Sequence, residues 1–257
     1  MAASVILLCM VFVIGTILIA LAVYFSMRWV VADNFETETE TLAGSVIFRV
    51  SALHGLILAL VFAQELVDYN QLQSNIVREA TAIADIYNDI RRYETELDQT
   101  VQSALSDYVR VVIDEEWVAL AQEQELSARG WELREIVYET LLDLTPATPR
   151  QTALRSHMIA KIQMIAELRQ ERENNALHSV SPLFWVAAIC GIILVTVPYF
   201  IFSPSRLNLA LLSVYGGFSG FIMFVIFAFS DPFNEPGALH PSAFERLLAT
   251  EIGGSGS

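Results

Sequence analysis

Hydrophobic and polar positions in this chain segregate on the scale of whole helices. Four runs are almost purely apolar: 4–24, 43–67, 182–202 and 207–229. Each can cross a hydrocarbon layer of about 30 Å, which takes about 20 helical residues. The first carries no charge before Arg28, and Tyr24 and Trp29 supply amphipathic rings suited to the headgroup level. Ala20-Leu21-Ala22 has the small-x-small form of a leader cleavage site, the alternative reading of this run. A basic segment ahead of it is missing and the run is too long, so a retained span is expected. The third run opens with Ser181-Pro182, a cap followed by proline at the first helical position. Pro198 is expected to kink or end that helix, and Ser203-Pro204-Ser205 to turn the chain into the fourth span.

Between the second and third spans the apolar positions show helical periods and no strand-like alternation. Ile76, Ala80, Ile83, Tyr87 and Ile90 form the seam of a helix continuing from span two. A second helix is predicted over 97–121, with Val101, Leu105, Tyr108 and Val112 on one face. A third, over 128–144, turns Leu133, Ile136, Val137 and Leu141 inward. Thr148-Pro149 starts a fourth, whose stripe is Leu154, Met158, Ile162 and Ile165. The expected fold is all-α: four transmembrane helices, with a cytoplasmic four-helix bundle inserted between the second and third spans. Its parts are 1–67 (two spans and an acidic outer loop), 68–181 (the bundle), 182–230 (a transmembrane hairpin) and 231–252 (a cytoplasmic tail). Residues 253–257, Gly-Gly-Ser-Gly-Ser, read as a linker outside the fold.

Composition agrees with a membrane protein. The chain has 257 residues, 54% hydrophobic and 17% charged, with mean hydropathy +0.48. Soluble domains average about 45–50% apolar and about 25% charged. The formal charge of −14 has the wrong sign for binding nucleic acid. Cys9 and Cys190 both lie inside apolar runs, where they read as small hydrophobes. A Gly-rich phosphate loop, a His-Glu-x-x-His pair and a Gly-x-Ser-x-Gly elbow are all missing, and the histidines are scattered at His54, His157, His178 and His240. Neither catalysis nor a cofactor is expected. Eleven basic residues lie in 68–181, against Arg28 and Arg206 near the opposite loops, so the positive-inside bias places that segment and both termini in the cytoplasm.

Several segments resemble the bestrophin-like family of membrane proteins. They are LHGLILALVFA at 53–63; Glu79-Ala80 with Ile86-Tyr87-Asn88-Asp89; Tyr108-Val109 with Glu116-Trp117; and Leu144-Thr145-Pro146-Ala147-Thr148-Pro149. Asp231-Pro232-Phe233 with Gly237, Pro241 and Phe244 completes the set. The resemblance covers roughly 45–248 and implies a four-span, helical, oligomeric membrane protein with a channel role. True bestrophins are calcium-gated anion channels. Their calcium-clasp and neck motifs are missing from this sequence, so the resemblance does not carry anion selectivity.

Span two alone combines spanning length with ionisable residues at depth. Facing lipid costs such groups at least about 2.5 kcal/mol, so they face a bundle interior or a wet cavity. Ser51, His54, Leu58, Val61 and Glu65 share one helix face and form a candidate pore lining, with Leu58, Val61 and Phe62 as its apolar constriction. Two roles stay open for His54: lining a wet lumen, or tying neighbouring helices together. Arg49 is expected to snorkel to the outer interface. Asp33, Glu36, Glu38 and Glu40 outside and Asp68 inside would form acidic mouths that concentrate cations. The segment 68–181 adds twenty carboxylates against its eleven basic residues. Most of these also serve simply as a solvated face. Asp114, Glu115 and Glu116 are a weak candidate metal cluster, since successive helical residues diverge. Gly216 and Gly220 form a Gly-x-x-x-Gly spacing suited to close helix packing.

The function these features predict is a homo-oligomeric, cation-preferring ion channel of the cell membrane, tetrameric or pentameric, with span two lining the pore and the bundle coupled to gating. Its partners are the lipid bilayer, further copies of itself and permeant inorganic ions. Two alternatives remain: a membrane-anchored sensor or scaffold whose bundle binds a partner, and a bestrophin-type anion channel.

Overall fold

The computed structural model describes residues 2–31, 37–122, 124–177 and 180–252. Nine α-helices carry the described chain: α1 (Ala2–Val30), α2 (Thr37–Tyr93), α3 (Asp98–Val111), α4 (Trp117–Ala121), α5 (Ala128–Asp143), α6 (Pro149–Leu177), α7 (Pro182–Thr196), α8 (Arg206–Ser230) and α9 (Ser242–Leu247). Among the described residues there is no strand. The fold is all-α, and four helices are long and apolar enough to cross a membrane: α1, α2, α7 with its 3₁₀ extension, and α8. The helices group into two compact units, 1–68 with 180–231, and 69–179 with 232–257. Helix α2 contributes residues to both.

In the first unit, α1 and α8 approach closely because α8 presents glycine. A Cβ on Gly216 would stand 3.2 Å from the Thr16 carbonyl oxygen, and one on Gly220 would stand 2.6 Å from the Phe12 carbonyl oxygen and collide with the Thr16 hydroxyl. Apolar packing then closes around Ala20, Leu58, Ala188, Ile192, Met223 and Ile226. Ser181 accepts from the Leu183 N–H, and Pro182 follows as the first helical residue. Pro198 lies in a 3₁₀ turn, Val197–Ile201, that ends the span. The carbonyls this turn leaves free are taken by α1: the Tyr24 hydroxyl donates to Phe202 O at 2.9 Å, and Arg28 donates to Phe200 O at 3.1 Å and Phe202 O at 3.2 Å.

In the second unit, the expected seams of α2 and α3 are all buried. On α6, Met158, Ile162 and Ile165 are buried and Leu154 is half-buried. Helix α5 departs from expectation: Val137 and Leu141 are fully buried, Leu133 is half-buried and Ile136 is 44% exposed. The helix is therefore rotated so that the Val137–Leu141 line meets the core. Helix α2 closes at Glu94, whose φ of 59° is left-handed. Between α3 and α4 the helix widens to π geometry over Val112–Glu116. Residues 232–252 are built into this unit: Trp117 Nε1 donates to Leu239 O at 2.9 Å, Asn234 donates to Ala121 O at 2.8 Å, and Phe244 is fully buried.

Candidate functional site

The polar stripe of α2 meets the other helices of its own unit. His54 is 4% exposed; its Nε2 lies 3.1 Å from Ala188 O and its Nδ1 lies 2.8 Å from the Tyr215 hydroxyl. A carbonyl only accepts, so Nε2 carries a proton and donates to Ala188 O, while Nδ1 pairs with the Tyr215 hydroxyl. Tyr215 also exchanges a side-chain hydrogen bond with Ser219. Gly191 leaves the space the ring fills, because a Cβ there would stand 2.7 Å from Nε2. His54 thus ties α2 to α7 and α8. Leu58 is 3% exposed in the same core, and Val61 and Phe62 pack half-buried against it. Ser51 and Glu65 are half-buried at the edge, with the Ser51 hydroxyl donating to Phe48 O. Within one chain α7 and α8 supply the partners and the packing of His54 and Leu58, in keeping with the second role left open for His54, a tie between neighbouring helices.

The rest of the α2 surface is left uncovered: Leu53, Ile57 and Leu60 on its flank are exposed, and so is the face opposite His54. Ser45, Ala52, Leu56, Ala59 and Ala63 are exposed and share it, with Arg49 toward one end. At the other end Gln64 donates to both carboxylate oxygens of Asp68 at 2.9 Å. Glu40 is exposed. Asp33, Glu36 and the side chain of Glu38 lie outside the described residues.

A second constellation lies in the core of the helical unit, where four charged residues from three elements meet at 1% exposure or less. Glu116 accepts from Nη2 of Arg169, and from Nη2 of Arg172 at 2.8 Å. Arg172 also lies 3.5 Å from Glu79, which accepts from the Tyr108 hydroxyl at 2.7 Å. The guanidinium of Arg169 stacks over Trp131 at 4.4 Å, and that of Arg172 lies near Trp117 and Phe244. Gly130 makes room, since a Cβ there would stand 2.6 Å from Arg169 Nη2. Burial pushes the Glu116 carboxyl above its ordinary value, against the pull of Arg172 and Arg169. Burial and the adjacent Glu79 raise the Tyr108 hydroxyl well up, so it remains a donor. For Arg172, burial works against the charge, but Glu79, Tyr108 and Glu116 outweigh it and hold its pKa above the ordinary value.

Sequence reasoning did not pick out this network, although its signal was there. On α6 the spacing of Met158, Ile162 and Ile165 continues through Arg169 and Arg172, so two arginines occupy seam positions. Glu79 falls likewise between Ile76 and Ile83. The extra residue of the π segment brings Glu116 under Val112 on the buried face. That turn also disperses the weak metal cluster: Glu116 is buried, Glu115 accepts from Ser127 and Arg129, and Asp114 is exposed. Among the described residues no group of His, Cys, Asp or Glu could hold a metal ion.

The profile of the Bestrophin-like domain family matches residues 5–244. Solved structures share the fold. A variant of a bacterial bestrophin homologue from Klebsiella pneumoniae superimposes with a TM-score of 0.63 at 13% identity, covering 94% of this chain and 99% of that one. The zinc-phased structure of the homologue from the same organism gives 0.63 at 12% identity, over 94% and 97%. A structure described only as a membrane protein gives 0.66 at 11% identity, over 94% and 97%. None of the curated proteins matches the chain.

Proposed function

We propose, from the premise that this chain belongs to the bestrophin-like family, that it assembles as a homo-oligomeric ion channel of the cell membrane with the membrane portion of α2 in the pore wall. The family match over 5–244 carries the reading, and an uncovered face of α2 running beside lipid-length helices supports it. With His54 and Leu58 engaged inside the subunit, the lining falls to Ala52, Leu56, Ala59 and Ala63. Apolar rings of this kind gate by dewetting. Helix α2, shared by both units, is the element through which a change in the helical unit reaches that wall. The excess of basic residues in 68–181 over the opposite loops supports a cytoplasmic helical unit.

Charge favours cations. Asp68 and Glu65 stand at the inner end of the span, and the residues after it carry an excess of carboxylates. The family's likeness to anion channels supports the opposite selectivity, and reversal potentials across a KCl gradient in planar bilayers decide between them. A potential near the potassium equilibrium value is expected. Reconstituted protein that passes no ion over a range of pH, calcium and voltage would overturn the channel and leave the membrane-anchored scaffold.

A further inference from the structure

The buried charges of the helical unit are balanced in number but unevenly shared. Glu79 and Glu116 stand against Arg169 and Arg172, all at 1% exposure or less. Arg172 serves both carboxylates with one nitrogen: its Nη2 lies 2.8 Å from Glu116 and 3.5 Å from Glu79. Its Nε and Nη1 are buried with no hydrogen-bond partner among the described residues, so this guanidinium has donors to spare. Glu116 reaches the site through the π turn, a feature frequent at functional sites. Glu79 belongs to α2, and on either side of it α2 and α6 are joined by polar pairs. Asn75 donates to Glu171, Lys161 meets Asp85 at 2.8 Å, and His157 meets Asp89 at 2.7 Å.

We propose that Arg172 is a proton-operated latch between the π turn and α2. With Glu116 ionised, Arg172 stays on Glu116. When a proton from water settles on that carboxylate, the Arg172–Glu116 bond weakens and the guanidinium swings onto Glu79, adding a rung between α6 and α2. Arg169 does not follow, because the Ser127 carbonyl accepts from it at 2.8 Å and Trp131 stacks on it. A protonated Glu116 leaves one surplus positive charge, and the aromatic faces around the pair suit it: Trp131 and Tyr108 for Arg169, Trp117 and Phe244 for Arg172. The titratable and charged groups facing Glu116 are Arg172, Arg169 and Glu173 of α6, Glu79 of α2 and Tyr108 of α3. Burial raises the Glu116 carboxyl most, the arginines pull it down, and Glu79 and Glu173 push it up again. The proton therefore arrives above the ordinary carboxylate range, with the helical unit still folded. The latch is complete within that unit; its consequence for conduction, through α2, rests on the channel proposed above.

Trp117, whose ring centre lies 5.7 Å from the Arg172 guanidinium, reads the latch by fluorescence of the full chain in detergent. The background carries Trp29→Phe, Trp131→Phe and Trp185→Phe, with His157→Gln and His240→Gln to keep imidazole protonation out of the signal. Between about pH 8 and about pH 4 the emission should pass one step, centred above the ordinary carboxylate range. Glu116→Gln should lose the step. Glu79→Gln, which leaves Arg172 no second carboxylate, should lose most of its amplitude. Glu173→Gln should keep the amplitude and shift the step to lower pH. These last two arms stand even if the Glu116 variant does not fold. No step, or a step of full amplitude in Glu79→Gln, would overturn the latch. In liposomes, ion flux should change at the same pH as the fluorescence and lose that change in Glu116→Gln. Fluorescence that steps while flux stays level would overturn the consequence for conduction alone. Absence of flux at every pH would overturn the channel reading, not the latch.

Discussion

Removing the His54 imidazole would leave the Tyr215 hydroxyl and the Ala188 carbonyl without their partner in a dry helix interface. His54→Ala should cost about 1–3 kcal/mol, read as a lower thermal midpoint in detergent. Gly191→Ala should also destabilise, because its methyl enters the space of the ring. Combined, the two should cost less than their sum, since the alanine methyl occupies part of the volume the imidazole vacated. Additive effects would show that the ring and the glycine do not share that space. Glu116→Gln removes the carboxylate that both Arg169 and Arg172 touch, and breaking a buried pair of this kind costs about 3–5 kcal/mol. Its pH dependence follows from the raised carboxyl. The folded group takes up its proton above the ordinary carboxylate range, so the parent gains stability as pH falls from that value toward the range in which the unfolded carboxyl titrates. The stability gap to the glutamine variant, which has no titrating carboxyl at that position, should therefore widen on acidification and narrow toward neutral pH, as read by denaturant unfolding at a series of pH values.

Two helices show how a backbone detail decides an element's role. Helix α8 packs on α1 through glycines of unequal tightness. A Cβ on Gly220 would meet the Phe12 backbone oxygen at 2.6 Å, whereas one on Gly217 would first meet the flexible tip of Ile17 at 3.4 Å. Gly220→Ala should cost about 1–3 kcal/mol through forced separation of the helices, and Gly217→Ala little, by thermal unfolding in detergent. The π segment Val112–Glu116 delays the helical register just enough to carry Glu116 into the core and leave Glu115 outside with Ser127 and Arg129. Periodicity predicted helix here correctly but assumed a constant turn, so it could not distinguish the two glutamates. On α5 the same limit appears as a rotation: Leu133, Ile136, Val137 and Leu141 are all apolar, and only packing against α3 and α6 selects Val137 and Leu141 for the core.

At the scale of the whole molecule, the uncovered face of α2 is where assembly and conduction would meet. If Leu56 stands in an apolar constriction, Leu56→Ser should wet it and raise ion flux from loaded liposomes several-fold, while leaving the light-scattering mass unchanged. An unchanged flux would remove Leu56 from the wall. The sequence by itself determined the all-α class and the four spans, with their caps and prolines, because length and periodicity are local properties that hydrocarbon thickness and helical pitch translate directly into structure. It also held the resemblance that the family match extends over 5–244. Only the tertiary structure decided which way the polar stripe of α2 turns and where Glu79, Glu116, Arg169 and Arg172 meet. A side chain's period fixes its face, but what that face touches depends on residues more than a hundred positions away: Tyr215 and Ala188 supply the partners that turn His54 from a lumen candidate into a tie between helices.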